Sequence, residues 1–116
     1  MNKWFWFGVF TILTAIATYQ AFPANAEPAP DQKVVYKEYN NYVIFKQSYF
    51  HLVEGKDLYI DYRDEHWDLF KYTPTFAAAF GLLAVLDDGV GLFLWNLLNA
   101  LILLFGVFAL PRLTNR

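Results

Sequence analysis

The chain has no cysteine. That absence removes disulfide staples, thiolate metal sites and a cysteine nucleophile, though it does not choose a compartment. Charge is scarce too. Only 17% of the 116 residues are Asp, Glu, Lys or Arg, a low share for a small soluble domain. Their balance is −2, which leaves no basic footprint and makes nucleic acid an unexpected partner. The two histidines, His51 and His66, and the acids around them match no zinc or calcium spacing. No metal and no cofactor are expected.

What the chain has is apolar surface, arranged in long runs. Residues 75–86 and 90–110 are uncharged and separated only by Asp87-Asp88-Gly89. The second run is long enough for an α-helix to cross a hydrocarbon core of about 30 Å. Lipid offers no water to backbone groups, so such a run is expected to be helical. Asp-Asp-Gly signals a turn, because the carboxylates bond their own backbone and glycine accepts positive φ. Residues 73–110 are therefore predicted to form a membrane helical hairpin, with 111–116 as a tail. Pro74 suits the first turn of the first arm. The 75–86 run is short for a crossing and needs local thinning or neighbouring helices. On the second arm, Asn96, Asn99, Leu103 and Gly106 share one face. Amides facing lipid are costly and small residues admit close approach, so this face is expected to meet other helices.

A further apolar run, 4–22, follows Lys3. Two readings stand. A basic start, an apolar centre and Ala24-Asn25-Ala26 fit a cleaved signal peptide. The long run with Trp4 and Trp6 at one interface fits a retained anchor, which the hairpin favours. Residues 23–39 open with PANAEPAPDQ, which reads as an extended spacer.

Over 40–72 the character changes. Tyr42, Phe45, Tyr49, Leu52 and Val53 recur at steps of three and four, with Lys46, Gln47, Ser48, His51 and Glu54 off that stripe. The pattern predicts an amphipathic helix, capped by Asn40 or Asn41 and ended by Gly55 in a left-handed cap. It is expected on the membrane surface or against the hairpin rather than in the core of an independent domain. The following loop, KDLYIDYRDEHWDLFKY, holds Asp57, Asp61, Asp64, Glu65 and Asp68 around His66 and Trp67. Carboxylates beside a histidine are the equipment of general acid–base chemistry. They equally suit a solvated loop whose aromatics rest among lipid headgroups.

Two stretches in order, NNYVIFKQSYFHLVEGKDLY (40–59) and YTPTFAAAFGLLAVLDDGVGLFLWNLLN (72–99), resemble the N-terminal part of glycosyltransferase family 87, the mannosyltransferase-like membrane proteins once grouped as a domain of unknown function. The matching positions are Gly55 to Tyr59, Tyr72 with Pro74, and Leu94-Trp95 with Asn99. The resemblance implies the first part of a GT-C-like multi-spanning fold: all-α, with about three membrane helices plus an extracytoplasmic surface helix. It implies transfer of a sugar from a polyprenyl-phosphate donor to an acceptor hydroxyl, with an aspartate of the first extracytoplasmic loop as base. Here Asn41 holds that aspartate's position, and an amide cannot take a proton. The replacements expected are Asp68 and Glu65 with His66, while Arg63, Lys71 and Tyr72 are expected to meet the donor. Family proteins are several times longer, so the chain is expected to be an N-terminal fragment, inactive without further membrane helices. Its expected place is the bacterial inner membrane, N-terminus inside, 40–72 outside and 87–89 back inside. That arrangement leaves Arg112 and Arg116 outside, against the positive-inside tendency. The alternative is a small non-enzymatic membrane protein that binds partner helices. A secreted protein, which needs 90–110 to be soluble, fits least.

Overall fold

A computed structural model describes residues 2–22 and 37–114. Among these, the regular elements are four helices: α1 (Lys3–Ala21), α2 (Asn40–Val53), α3 (Pro74–Ala84) and α4 (Asp88–Thr114). The spacer up to residue 36 and the Ala24-Asn25-Ala26 site lie outside the described residues.

Local chemistry explains most of the boundaries. Asn2 caps α1 by accepting from the backbone N–H of Trp4 at 3.0 Å. At the end of α2, Gly55 takes φ 68°. Its N–H bonds the Leu52 carbonyl at 3.2 Å and the Lys56 N–H bonds the His51 carbonyl at 2.8 Å. Those two bonds are the 5→2 and 6→1 pair of a Schellman ending. Thr73 caps α3 through Phe76 N–H, with Pro74 in the first turn. Asp87 accepts from Gly89 N–H at 3.1 Å, so the Asp-Asp-Gly turn opens α4 directly. Pro111 does not stop α4, which continues to Thr114. The ring removes the backbone bond to the Val107 carbonyl and crowds that oxygen, with only the residues to Thr114 left to carry the distortion.

Among the described residues, two helices are long and apolar enough to cross a membrane, Lys3–Ala21 and Asp88–Thr114. Only 11% of the most apolar window of each is buried within the chain, which separates them from core helices. They run antiparallel. Thr18, late in α1, receives a 3.1 Å hydrogen bond from Asn96, early in α4. Lys3 and Arg112, at the opposite ends of the two helices, line one groove.

The first arm of the expected hairpin is short for a crossing. Eleven residues of α3 rise only about 16 Å, roughly half a hydrocarbon core. Instead α3 packs against α2. The contact is close enough that a Cβ at Gly81 would strike the ring of Tyr49. Phe45 of α2 is the hub of the shared core, edge-to-face with Tyr72 at 5.2 Å, Phe76 at 5.0 Å, Phe80 at 5.5 Å and Trp95 of α4 at 5.6 Å. Such ring pairs contribute about 0.5–1.5 kcal/mol each beyond their burial. Lys46 of α2 also pairs with Asp88 at 2.5 Å. The Asp87–Gly89 turn therefore sits at the same end of the molecule as α2.

The face of α2 differs from the expected stripe as well. Tyr42 and Phe45 are buried, but so are Ile44, Ser48 and His51 at i, i+4 and i+7, while Val53 is 65% exposed. The loop after α2 folds back and buries this second face, contributing Leu58 and Phe70 to the core. Ser48 tolerates burial because its hydroxyl donates to the Phe45 carbonyl at 2.6 Å.

Candidate functional site

The candidate site is the 56–72 loop, and its shape starts from α2. After the Gly55 turn, Asp57 accepts from Tyr59 N–H at 2.8 Å, and the Tyr62 hydroxyl donates to the Asp57 carbonyl at 2.5 Å. The N–H groups of Glu65 and His66 both return to the Tyr62 carbonyl. Asn40 does not cap α2; Tyr39 occupies that position without a side-chain bond. The Asn40 amide reaches instead across the loop, donating to the Trp67 carbonyl at 2.8 Å and accepting from Trp67 N–H at 3.0 Å. A side-chain amide can satisfy both backbone groups of one residue because it carries a donor and an acceptor.

Within this frame the expected proton relay of Glu65, His66 and Asp68 is distributed among other partners. Glu65 Oε2 lies 2.7 Å from Nε2 of His51 on α2. The approach is oblique, since neither atom gains a well-directed hydrogen bond; the contact is one of proximity. Tyr62 stacks on the His51 ring at 3.8 Å and 26°, closing the pair from above. His66 is buried, and its Nδ1 faces the backbone carbonyl of Asp68 at 3.1 Å rather than a carboxylate. Burial pushes its imidazole below the usual histidine range, against the opposing pull of the Asp68 carbonyl and Glu65. Asp68 stands in the left-handed region at φ 70°, which aspartate tolerates better than most side chains. Its carboxylate pairs with Lys71 at 2.7 Å and accepts from Leu69 N–H at 2.8 Å. The Lys71 bond first, then that N–H, holds this carboxyl below its ordinary range.

The residues expected to meet a phosphate are also engaged within the loop. Arg63 pairs with Asp61 at 2.5 Å, and Lys71 with Asp68. Tyr72 turns its ring onto Phe76 at 5.2 Å and offers its carbonyl to the Tyr59 hydroxyl at 3.0 Å. Asn41 is exposed at the first turn of α2. No group of three or more His, Asp or Glu among the described residues is placed to hold a metal ion. Chemically, the arrangement holds a carboxylate against an imidazole under an aromatic lid.

Reading along the chain does not single out Tyr62, places His51 only off the apolar stripe of α2, and gives Asn40 the role of a helix cap rather than a clasp on Trp67. The only signal for them was composition: a histidine and an amide on a helix whose loop carries an excess of acids and aromatics.

The second candidate surface is the amide face of α4. Asn96 is satisfied by Thr18 of α1. Asn99 is exposed, and its amide donates back to the Trp95 carbonyl at 2.8 Å. Leu103 is 62% exposed, and a Cβ at Gly106 would meet nothing within 4 Å. So α1 covers only the first residue of the expected contact face.

Comparison of the chain with protein-family models, curated proteins and solved structures finds no match.

Proposed function

We propose that the chain is a small non-enzymatic integral membrane protein that binds a partner helix through α4. The observation that carries this reading is Asn99, an exposed amide near the middle of an apolar helix. Placed in lipid, its carbonyl has no donor to meet, and a partner helix supplies one. Leu103 and Gly106 continue the same face, and the missing side chain at Gly106 allows a second backbone to come close. In this reading α2, α3 and the 56–72 loop form a cap at one end of the α1–α4 pair. The hydrogen bond from Asn96 to Thr18 supports α1 as a retained anchor, because cleavage would leave a second amide without its partner.

Glycosyl transfer, the activity implied by the resemblance, has less to support it. A base for an acceptor hydroxyl would have to leave its partner first, since Glu65 lies against His51 and Asp68 against Lys71. Two measurements separate the readings. A photo-cross-linking residue at Asn99 is expected to give one adduct of defined mass in native membranes, and Leu113, on the far turn of α4, only lipid. Lipid-linked glycans are expected to be unchanged when the gene is deleted. A lipid-only product at Asn99 overturns the partner-helix reading, and a lost glycolipid restores the transferase.

A further inference from the structure

At the end of the molecule away from the α2–α3 cap, α1 and α4 do not close on one another. Between them lies a groove of about 630 Å³, within the roughly 300–1,000 Å³ of ordinary ligand sites. Its walls are apolar, with Phe7 from α1 and Leu101, Leu104 and Phe108 from α4. Two cations complete the lining, Lys3 at the start of α1 and Arg112 in the last turn of α4. No acid lines the groove, and among the described residues no carboxylate pairs with either cation. The remaining described cations that form ion pairs, Lys46, Lys56, Arg63 and Lys71, all do so in the cap.

We infer that this groove is a binding site for one anionic phospholipid, its acyl chain between α1 and α4 and its phosphate between Lys3 and Arg112. The argument has three steps. An apolar groove within the hydrocarbon layer does not stay empty, since unlined space forfeits dispersion contacts. The helix ends bearing Lys3 and Arg112 fall at the headgroup level, where a charged side chain reaches phosphate by snorkelling. Two unpaired cations over one groove then favour a net negative headgroup over a zwitterionic one, whose own ammonium they repel. The positive end of the α1 macrodipole adds to the same field. Trp4, 75% exposed beside Lys3, is placed where indoles settle at the interface.

The inference rests on membrane insertion but not on the partner helix. The test uses the full chain in mild detergent, offered equal phosphatidylglycerol and phosphatidylcholine with matched acyl chains and read by native mass spectrometry. One phosphatidylglycerol per chain is expected in preference to phosphatidylcholine. Lys3→Gln with Arg112→Gln should reduce that preference on the order of tenfold. Ala109→Trp, which fills the groove and keeps both cations, should reduce binding of both lipids. Circular dichroism checks that each variant keeps its helices. Equal binding of the two lipids by the unaltered chain overturns the site, as does a preference that survives the double substitution. A dimer that occupies the groove, and that Ala109→Trp converts to a monomer, overturns it as well. Alkaline carbonate separates the two levels of the claim. A chain that carbonate releases from membranes fails both insertion and lipid site, whereas a retained chain without lipid preference fails only the site.

Discussion

Asn40 and Trp67, twenty-seven residues apart, exchange two hydrogen bonds, one each way between the side-chain amide and the backbone. This exchange closes the 56–72 loop onto the first turn of α2 and sets the position from which Glu65 reaches His51. Asn40→Ala removes both of these bonds in a half-buried place. The expected cost is about 1–3 kcal/mol. Asn40→Asp keeps an acceptor but loses the donor, so it should fall between. The midpoint of thermal unfolding, followed by near-ultraviolet circular dichroism of the aromatic cluster, checks both. An unchanged midpoint for Asn40→Ala would show that the loop is held elsewhere.

Tyr42 carries a hydroxyl that the core does not satisfy. The residue is 2% exposed and its oxygen has no hydrogen-bond partner. Burial first, then the nearby Asp88 and Asp87, raises its pKa to about 12. Tyr42→Phe removes a buried polar atom at almost constant shape and is expected to stabilise the fold by about 1 kcal/mol. The neighbouring Gly91 gives the opposite result. A Cβ there would strike the Tyr42 hydroxyl, so Gly91→Ala is expected to cost about 1–3 kcal/mol by overpacking. In the Tyr42→Phe background that cost should shrink, because the struck oxygen is gone. A full cost in both backgrounds would place the strain in the backbone of α4 instead.

Elements with local causes were legible in the sequence, and those with distant causes were not. The Gly55 ending, the Pro74 start and the two long apolar helices each follow from a few consecutive residues. The pairing of His51 with Glu65 and of Asn40 with Trp67 depends on how the loop folds back, which no spacing along the chain encodes. The same return explains the misread face of α2. Periodicity found the stripe that meets α3, but the opposite face, with Ile44, Ser48 and His51, is covered by the loop. The short run at 75–86 was read as a membrane arm because its composition is apolar. One face of it, with Ala77, Phe80 and Ala84, joins the aromatic core around Phe45, while Leu82 and Val85 stay exposed; composition alone does not distinguish lipid from protein as the apolar neighbour.

His66 makes the stability of the cap depend on pH. Its pKa is lowered by burial from the ordinary 6.5, so the folded state takes up its proton less readily than the unfolded chain. Below about 6.5 the unfolded state binds more protons, and stability falls as pH drops through that value. Above it this contribution is fully present. His66→Gln should flatten the slope between about pH 7.5 and 5 relative to the unaltered chain. Measuring both proteins cancels every contribution they share. Parallel curves would mean that His66 is hydrated in solution.

The arrangement of the termini gives the sharpest test. If α3 crossed the membrane, the Asp87–Gly89 turn would share a side with the N-terminus, and Arg112 would lie opposite Lys3. With α3 packed on α2 and Lys46 holding Asp88, the turn shares a side with the 56–72 loop. Antiparallel α1 and α4 then bring Lys3 and Arg112 to one end of the molecule, so a membrane crossed by both helices would place Arg112 on the Lys3 side, in line with the positive-inside tendency. Because the chain has no cysteine, single cysteines report without background. Asp57→Cys and Gly89→Cys are expected to react with an impermeant maleimide from the same side of the membrane. Asn2→Cys and Thr114→Cys should react together from the other. A Trp4→Cys and Leu113→Cys pair, both lining the groove at the Lys3 end, should cross-link under mild oxidation within one chain. Labelling of Gly89→Cys from the side of Asn2→Cys would restore α3 as a crossing helix. It would also separate Lys46 from Asp88, so the cap and the lipid groove would have to be rebuilt around a three-helix membrane bundle.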